Sequence, residues 1–111
     1  MKNENRIDFD EDSIAEIPKP VKLDIYGIIP NPFNSSCTIK FSTPGGLYDI
    51  SIFDILGRKV SNIGRGELPS GFYSATFDSK DASGKNLPSG TYFVKLSGAD
   101  GESIRKLLLL K

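Results

Sequence analysis

The feature that most constrains this chain is a series of short segments in which apolar and polar residues alternate. The clearest are CTIKF (37–41), YDISIF (48–53), FYSATFD (72–78) and TYFVKLS (91–97). A period of two puts every second side chain on one face, as in a strand with one buried face. The side chains predicted to point inward are Cys37, Ile39, Phe41, Tyr48, Ile50, Ile52, Tyr73, Ala75, Phe77, Tyr92, Val94 and Leu96.

Three weaker segments bring the predicted total to about seven strands. They are VKLDIYGI (21–28), a short strand through Val60, and SIRKLLLLK (103–111). Turn sequences such as TPGG (43–46) separate the strands, and this spacing predicts an all-β, antiparallel sandwich. Leu107 to Leu110 break the alternation in the last segment, so the pattern does not give its register. Such a strand is either covered on both faces or has an outer face that receives another chain.

The N-terminal segment differs in composition from the rest of the chain. Residues 1–20 hold six acids and three bases, a net charge of −3, so the other 91 of the 111 residues carry +3. Because this segment is acidic, lacks periodicity and ends in IPKP, we expect a disordered acidic linker or tail at 1–20 and one folded domain at 21–111. The formal net charge of zero removes the simplest argument for nucleic-acid or anionic-membrane binding, and no nucleic-acid partner is predicted.

The sequence contains neither a membrane span nor a secretory signal that we can identify. No apolar run approaches the roughly 18–20 residues that a spanning helix needs. The start, MKNENRIDFDEDS, has no apolar signal core, so we expect any export signal to lie either elsewhere in a longer precursor or away from the N-terminus.

Two prolines precede the strand that starts at Cys37, in the stretch PNPFN (30–34). Pro30 and Pro32 have no N–H to donate to a sheet, and each favours an extended conformation in the residue before it. This stretch therefore predicts a stiff lead-in to the strand.

A local repeat occurs in LPSGFYSATF (68–77) and LPSGTYFVKL (87–96). It predicts two equivalent transitions from turn to strand, in which Gly71 and Gly90 supply a backbone conformation that other residues resist. Two further turns are predicted. One closes on Gly57, and the other is a hairpin loop built on Asp78, Asp81 and Gly84.

Residues that could carry chemistry are few. The chain has no histidine and one cysteine, which removes the usual general base and the four-ligand zinc sites. Asp78 and Asp81 form a candidate carboxylate pair, but they flank turn residues, so turn capping is the favoured interpretation. Cys37, on a predicted inward face, is interpreted as a small hydrophobic residue.

Alternating acids at Asp8, Asp10 and Asp12 resemble the first ligands of a calcium loop. However, Ser13 and Lys19 occupy the positions where such a loop needs glycine and glutamate, so we predict no metal there.

Because neither these acids nor the other candidate groups form a convincing site, we expect no enzymatic activity, no cofactor and no small-molecule substrate.

Taken in order, these motifs resemble the C-terminal sorting domain of the type IX secretion system. The resemblance covers about residues 26–111 and rests on NPFN, D-x-x-G-R-x-V (54–60), D-x-x-D-x-x-G (78–84), SGTYF (89–93) and the lysine-containing terminal strand. It implies an immunoglobulin-like sandwich. Two departures are Phe77, where many relatives have tryptophan, and a leucine run that is more apolar than usual.

The resemblance implies that the chain is the C-terminal part of a larger exported protein, with a covalently linked cargo domain upstream. The domain would direct this protein through the periplasm to the cell surface or the extracellular space. An outer-membrane translocon would recognise the domain, and in many relatives a surface sortase removes it. The recognition residues carried over from the family are Pro30, Asn31, Pro32, Gly90, Tyr92, Lys106, Leu107, Leu108, Leu109, Leu110 and Lys111.

We hypothesise that the PNPFN stretch and the last strand form one recognition surface. An exposed terminal edge could bind by adding a strand to a partner's sheet, and could also support self-association.

Two other functions remain open from the sequence. The stretch FDSKDASGKNLPSGTYF is similar to the immunoglobulin-like domain of flagellar hook-capping proteins, which suggests a structural scaffold or spacer. A carbohydrate-binding accessory domain would need exposed aromatic rings, and Tyr26, Phe53, Phe72 and Phe93 are the rings that lie off the predicted inward faces.

Overall fold

The computed structural model describes residues 7–9, 21–99 and 101–111, which form strands and turns with no helix. No helix in these residues is long and apolar enough to cross a membrane. The strands are β1 (Ile7–Phe9), β2 (Asp24–Ile29), β3 (Cys37–Thr43), β4 (Gly46–Asp54), β5 (Lys59–Leu68), β6 (Gly71–Phe77), β7 (Gly90–Gly98) and β8 (Gly101–Leu109).

These strands form two antiparallel sheets with the orders β1-β6-β3-β2 and β5-β4-β7-β8. The sheets pack face to face, so the predicted β-sandwich is confirmed. Residues 21–111 contribute seven of the described strands, β2 to β8.

The core lies between the sheets and consists of the alternating residues that the sequence pattern predicts. Ile39, Phe41, Ile50, Val94 and Leu96 are all 0% exposed, and the other predicted inward side chains are also buried. Cys37 lies among them, and burial raises the pKa of its thiol from 9.0 to about 12. The thiol is therefore protonated at neutral pH and acts as a packing group.

Strand β1 was not predicted from the sequence. Ile7 pairs with Ala75 on the outer edge of β6, so the strand covers an edge that would otherwise be unpaired. The Ile7 side chain reaches across to the other sheet, because a Cβ added at Gly64 would lie 3.0 Å from its Cδ1 atom. Residues 1–6 and 10–20 are outside the described residues, and so are the carboxylates of the rejected calcium candidates, Asp8, Asp10 and Asp12.

Strand β5 is longer than predicted, because it continues past Val60 to Leu68. Its pairing with β4 shifts register twice, between Ile50 and Ser51 and between Ile52 and Phe53. Each shift turns the next side chains to the other face, so this strand has no regular alternation for a sequence pattern to detect.

Chain reversals gather at two ends of the sandwich. At one end Cys37 pairs with Phe77 and Gly90 pairs with Leu109, whereas at the other end Thr43 pairs with Gly71. We call the first end the C-terminal pole (residues 29–36, 54–60, 78–91 and 110–111). We call the second the opposite pole (residues 21–24, 43–47, 66–71, 97–99 and 101–103).

Candidate recognition surface

The terminal strand β8 is the edge strand of its sheet and pairs with β7 along its inner side. The structure gives the register of its leucine run. Leu107 and Leu109 are 0% exposed in the core, whereas Leu108 is half-buried and Leu110 is 51% exposed. Of the predicted recognition residues in this strand and just after it, Lys106, Leu110 and Lys111 are therefore the exposed ones.

Asn31 holds the outer side of this strand with its side-chain amide. Its Nδ2 donates to the carbonyl oxygen of Lys106 at 3.0 Å, and its Oδ1 accepts from the N–H of Leu108 at 3.0 Å. A carboxamide carries the same donor and acceptor groups as a peptide unit. The side chain therefore pairs with the strand where Pro30 and Pro32 lack the N–H groups to do so. The peptide bonds preceding both prolines are cis.

Phe33 extends this pairing with its backbone. Its N–H donates to the Leu108 carbonyl at 2.9 Å, and its carbonyl accepts from the Leu110 N–H at 2.8 Å. Its ring is 2% exposed and lies 5.9 Å from the ring of Phe77. The ring anchors the proline stretch in the core, so the backbone bonds to β8 are held in place.

The structure therefore brings the PNPFN stretch and the terminal strand into contact, but it corrects one expectation. We expected β8 to offer an open edge for strand addition or self-association. Between residues 106 and 110 that edge is already hydrogen-bonded to Asn31 and Phe33. A partner's strand cannot pair there unless it displaces these contacts.

A second group of contacts covers the same edge nearer the start of β8. The hydroxyl of Ser103 accepts from the N–H of Ile25 at 3.1 Å and donates to the carboxylate of Asp24 at 3.3 Å. Arg105 Nη2 lies 3.2 Å from the same carboxylate oxygen. These bonds join edge strands of the two sheets. No sequence pattern indicates these bonds, because about 80 residues separate the partners.

The LPSG repeat builds two equivalent tyrosine corners. The Tyr73 hydroxyl donates to the Pro69 carbonyl at 2.8 Å, and the Tyr92 hydroxyl donates to the Pro88 carbonyl at 2.7 Å. Both rings are 5% exposed, and burial raises the pKa of both hydroxyl groups. Gly71 and Gly90 have positive φ values of 158° and 156°, and residues with a side chain rarely adopt the conformation of Gly90. The Tyr92 hydroxyl bond to Pro88 ties the residues before β7 to the start of that strand. A role of Gly90 and Tyr92 in recognition stays a prediction.

We expect Tyr92→Phe and Tyr73→Phe to lower the free energy of unfolding by similar amounts, about 1–2 kcal/mol each. Each substitution removes one O–H···O=C bond and leaves a proline carbonyl without that partner. Denaturant unfolding of the two variants measures this. A loss confined to Tyr73→Phe would show that the two corners are not energetically equivalent.

Two turns at the C-terminal pole share one hydrogen-bond pattern. In residues 54–58, Asp54 Oδ1 accepts from the N–H groups of Leu56 and Arg58, and the Gly57 N–H donates to the Asp54 carbonyl. These N–H groups lower the pKa of the Asp54 carboxyl group, and the largest contribution comes from the hydrogen bond of the Arg58 N–H. In residues 81–85, Asp81 Oδ1 accepts from the N–H groups of Ser83 and Lys85, and Gly84 donates to the Asp81 carbonyl. The Ser83 hydroxyl is the main cause of the lowered pKa of Asp81.

Gly57 and Gly84 have φ of 85° and 90°, a left-handed conformation that favours glycine. Asp78 makes a smaller turn of its own, accepting from the Lys80 N–H at 3.3 Å. Gly57, Asp78, Asp81 and Gly84 thus lie in turns, whereas Gly71, which was also predicted in a turn, is the first residue of β6.

Other candidate chemistry is sparse in the described part of the chain. It contains no group of three or more acids or cysteines placed to hold a metal ion. The aromatic rings proposed for sugar stacking are partly covered. The Tyr26 ring meets that of Phe72 edge-on at 5.5 Å, and Lys95 Nζ lies 5.4 Å above the ring of Phe53.

The described residues thus form a two-sheet module in which the PNPFN stretch is hydrogen-bonded to the C-terminal strand. The chain belongs to the family of secretion system C-terminal sorting domains, which matches residues 27–110. The predicted resemblance to sorting domains of the type IX secretion system is thereby confirmed. Domains of this family mark the proteins that carry them for export to the cell surface or the extracellular space.

Two solved structures from Porphyromonas gingivalis have a similar fold. One is PorZ, described as an essential bacterial surface component of the type IX secretion system, with a TM-score of 0.57 and 19% identity. The other is dimeric latent PorU, with a TM-score of 0.63 and 17% identity. The matches cover 78% and 84% of this chain but only 11% and 10% of those proteins. No curated protein matches the sequence significantly.

Proposed function

We propose that the secretion machinery reads this domain through the outward side chains of the closed terminal strand and the adjoining proline stretch. The observation that carries the proposal is the pairing of Asn31 and Phe33 with Lys106, Leu108 and Leu110. This pairing fixes one conformation of the last strand before any partner arrives. A preorganised surface binds without the entropy loss of ordering a free tail.

The exposed residues of this surface combine apolar and basic groups. Pro30, Pro32 and Leu110 are exposed apolar residues, and Lys106 and Lys111 are exposed bases. Leu107 and Leu109 act indirectly in this account, because they hold the strand in the core. Mixed apolar and basic surfaces suit a protein partner with an apolar centre and an acidic rim.

We further propose that the domain catalyses no reaction and binds no cofactor. The carboxylates of Asp54 and Asp81 are occupied by the N–H groups of their own turns, and the chain contains no histidine. The partners implied by the family resemblance are an outer-membrane translocon, a surface sortase and a cargo domain linked through residues 1–20. In this account residues 21–111 are the signal.

Surface delivery of a reporter fused to residues 21–111 tests how the signal is read. We expect Lys106→Gln/Leu110→Ser to reduce delivery in a type IX-competent host by about tenfold or more, because it removes a base and an aliphatic group from the recognition surface. The matched control is Lys22→Gln/Leu47→Ser, the same pair of changes at the opposite pole, where Leu47 is 63% exposed. Both variants should melt like the unmodified domain. Equal delivery of both would show that this surface is not read.

A further inference from the structure

We propose that the C-terminal pole docks on a membrane surface with anionic headgroups, and that the side chains of Ile55 and Leu56 insert among the lipids. This docking goes beyond the proposed reading of the sorting signal, because it depends on the turn 54–58, although Lys111 and the proline stretch belong to the same pole. Ile55 and Leu56 both lie in the turn 54–58, which joins β4 to β5.

Ile55 and Leu56 are adjacent at this turn and are 69% and 71% exposed. These are the highest values among the exposed large hydrophobic side chains of the described residues. Two neighbouring aliphatic side chains in water are unfavourable unless a partner covers them.

The folding of the turn does not require these aliphatic side chains. The turn 81–85 has the same hydrogen-bond pattern, with Ala82 and Ser83 in the two equivalent positions. Small and polar residues therefore satisfy this backbone. Because Ile55 and Leu56 are also outside the core, neither turn geometry nor packing accounts for their apolar character.

The turn holds these side chains in a fixed position. Asp54 Oδ1 accepts from the N–H groups of Leu56 and Arg58 at 2.9 and 3.0 Å, and Asp54 Oδ2 lies 2.9 Å from Arg58 Nε. A turn braced in this way keeps its apolar tip presented to solvent instead of folding back onto the sandwich.

The two poles of the domain carry side-chain charges of opposite net sign. Counted over side chains alone, the C-terminal pole has five bases against three acids, a net of +2: Arg58, Lys59, Lys80, Lys85 and Lys111 against Asp54, Asp78 and Asp81. The described residues of the opposite pole have one base against three acids, a net of −2: Lys22 against Asp24, Glu67 and Glu102. An anionic surface would therefore attract the C-terminal pole and repel the opposite one.

Basic residues lie close to the apolar tip of the turn, Ile55 and Leu56, at this pole. Ile55, Leu56 and Arg58 line one apolar groove of about 440 Å³ with Ser89. The Ser89 hydroxyl accepts from the N–H of Lys111 at 2.9 Å, which places that residue beside the groove. Protruding aliphatic groups flanked by bases match a bilayer interface, where tails accept the tip and headgroups accept the charge. A protein partner would instead need a socket shaped for the tip.

Sedimentation of the full chain with lipid vesicles tests this proposal. We expect binding to vesicles of phosphatidylethanolamine and phosphatidylglycerol, and little binding to vesicles of phosphatidylcholine alone. Ile55→Ala/Leu56→Ser gives this turn the residues of its counterpart at 82 and 83, and should weaken binding about tenfold. Lys59→Gln/Lys85→Gln should weaken binding by a similar factor, and added salt should do the same.

Leu47→Ser is the matched control, because it removes a leucine of similar exposure, 63% against 71% for Leu56, from the opposite pole and should leave binding unchanged. Equal thermal melting of all variants would show that they are folded. The proposal is wrong if the full chain ignores anionic vesicles, if it binds both lipid compositions equally, or if the Ile55→Ala/Leu56→Ser variant binds normally. If the full chain does not bind vesicles but the Ile55→Ala/Leu56→Ser variant loses surface delivery, the turn inserts into a pocket on a protein partner and not into a membrane.

Discussion

Removing residues 104–111 is expected to unfold the domain, not only to remove a signal. Leu107 and Leu109 are 0% exposed, and truncating one such leucine to alanine typically costs about 2–5 kcal/mol. The deletion removes both, together with most of the pairing of β8 with β7 and with Asn31. A small domain has only about 5–15 kcal/mol of stability in total. Far-ultraviolet circular dichroism during heating should therefore show no cooperative transition.

The matched control is removal of residues 110–111 alone, since Leu110 and Lys111 are exposed. This shorter deletion should retain a cooperative melt. A cooperative melt near the original temperature in the chain lacking 104–111 would contradict the account. The practical consequence is that a failure of export after the longer deletion does not identify the signal, so exposed positions such as Lys106 are the informative ones.

Replacing Asn31 by aspartate is expected to release the terminal strand from the proline stretch. One carboxylate oxygen can still accept from the Leu108 N–H, but the other would face the Lys106 carbonyl oxygen at the position that Nδ2 now occupies. Loss of that donor and the resulting repulsion should lower the free energy of unfolding by about 2 kcal/mol. Amide hydrogen exchange at Leu108 and Leu110 should accelerate more than exchange in the core of β7.

Asn34→Asp is the control for this change, because Asn34 is exposed in the same stretch and undergoes the same change of charge. It should alter the free energy of unfolding by less than about 0.5 kcal/mol. If Asn31→Asp and Asn34→Asp have equal effects on stability and on exchange, the side-chain pairing of Asn31 does not hold β8.

The sequence predicted the sandwich well wherever one face of a strand is regularly buried. Phe41, Ile50 and Val94 follow a strict period of two, and each is 0% exposed. The prediction was incomplete where this alternation of buried and exposed side chains is interrupted. Two register shifts hide the alternation of β5, and the short strand β1 is defined by the edge of β6 that it covers.

The candidate surface was predicted in part. The proline stretch and the terminal strand were correctly grouped, because both belong to one family pattern. The pairing of Asn31 through its side chain could not be predicted, since it depends on two segments about 75 residues apart in the chain. It also could not separate Leu107 and Leu109 from Leu108 and Leu110, because four identical side chains carry no register.

The most direct test of the account is to attach residues 21–111 to an otherwise unsorted reporter that carries an inner-membrane export signal. We expect the fusion to reach the cell surface of a bacterium with an intact type IX system, and to stay in the periplasm when that system is inactivated. The reporter without residues 21–111 should stay in the periplasm of both strains. The claim that this domain is the sorting signal would be contradicted by surface exposure of the reporter without residues 21–111. Periplasmic retention of a folded fusion in the competent strain would contradict it as well.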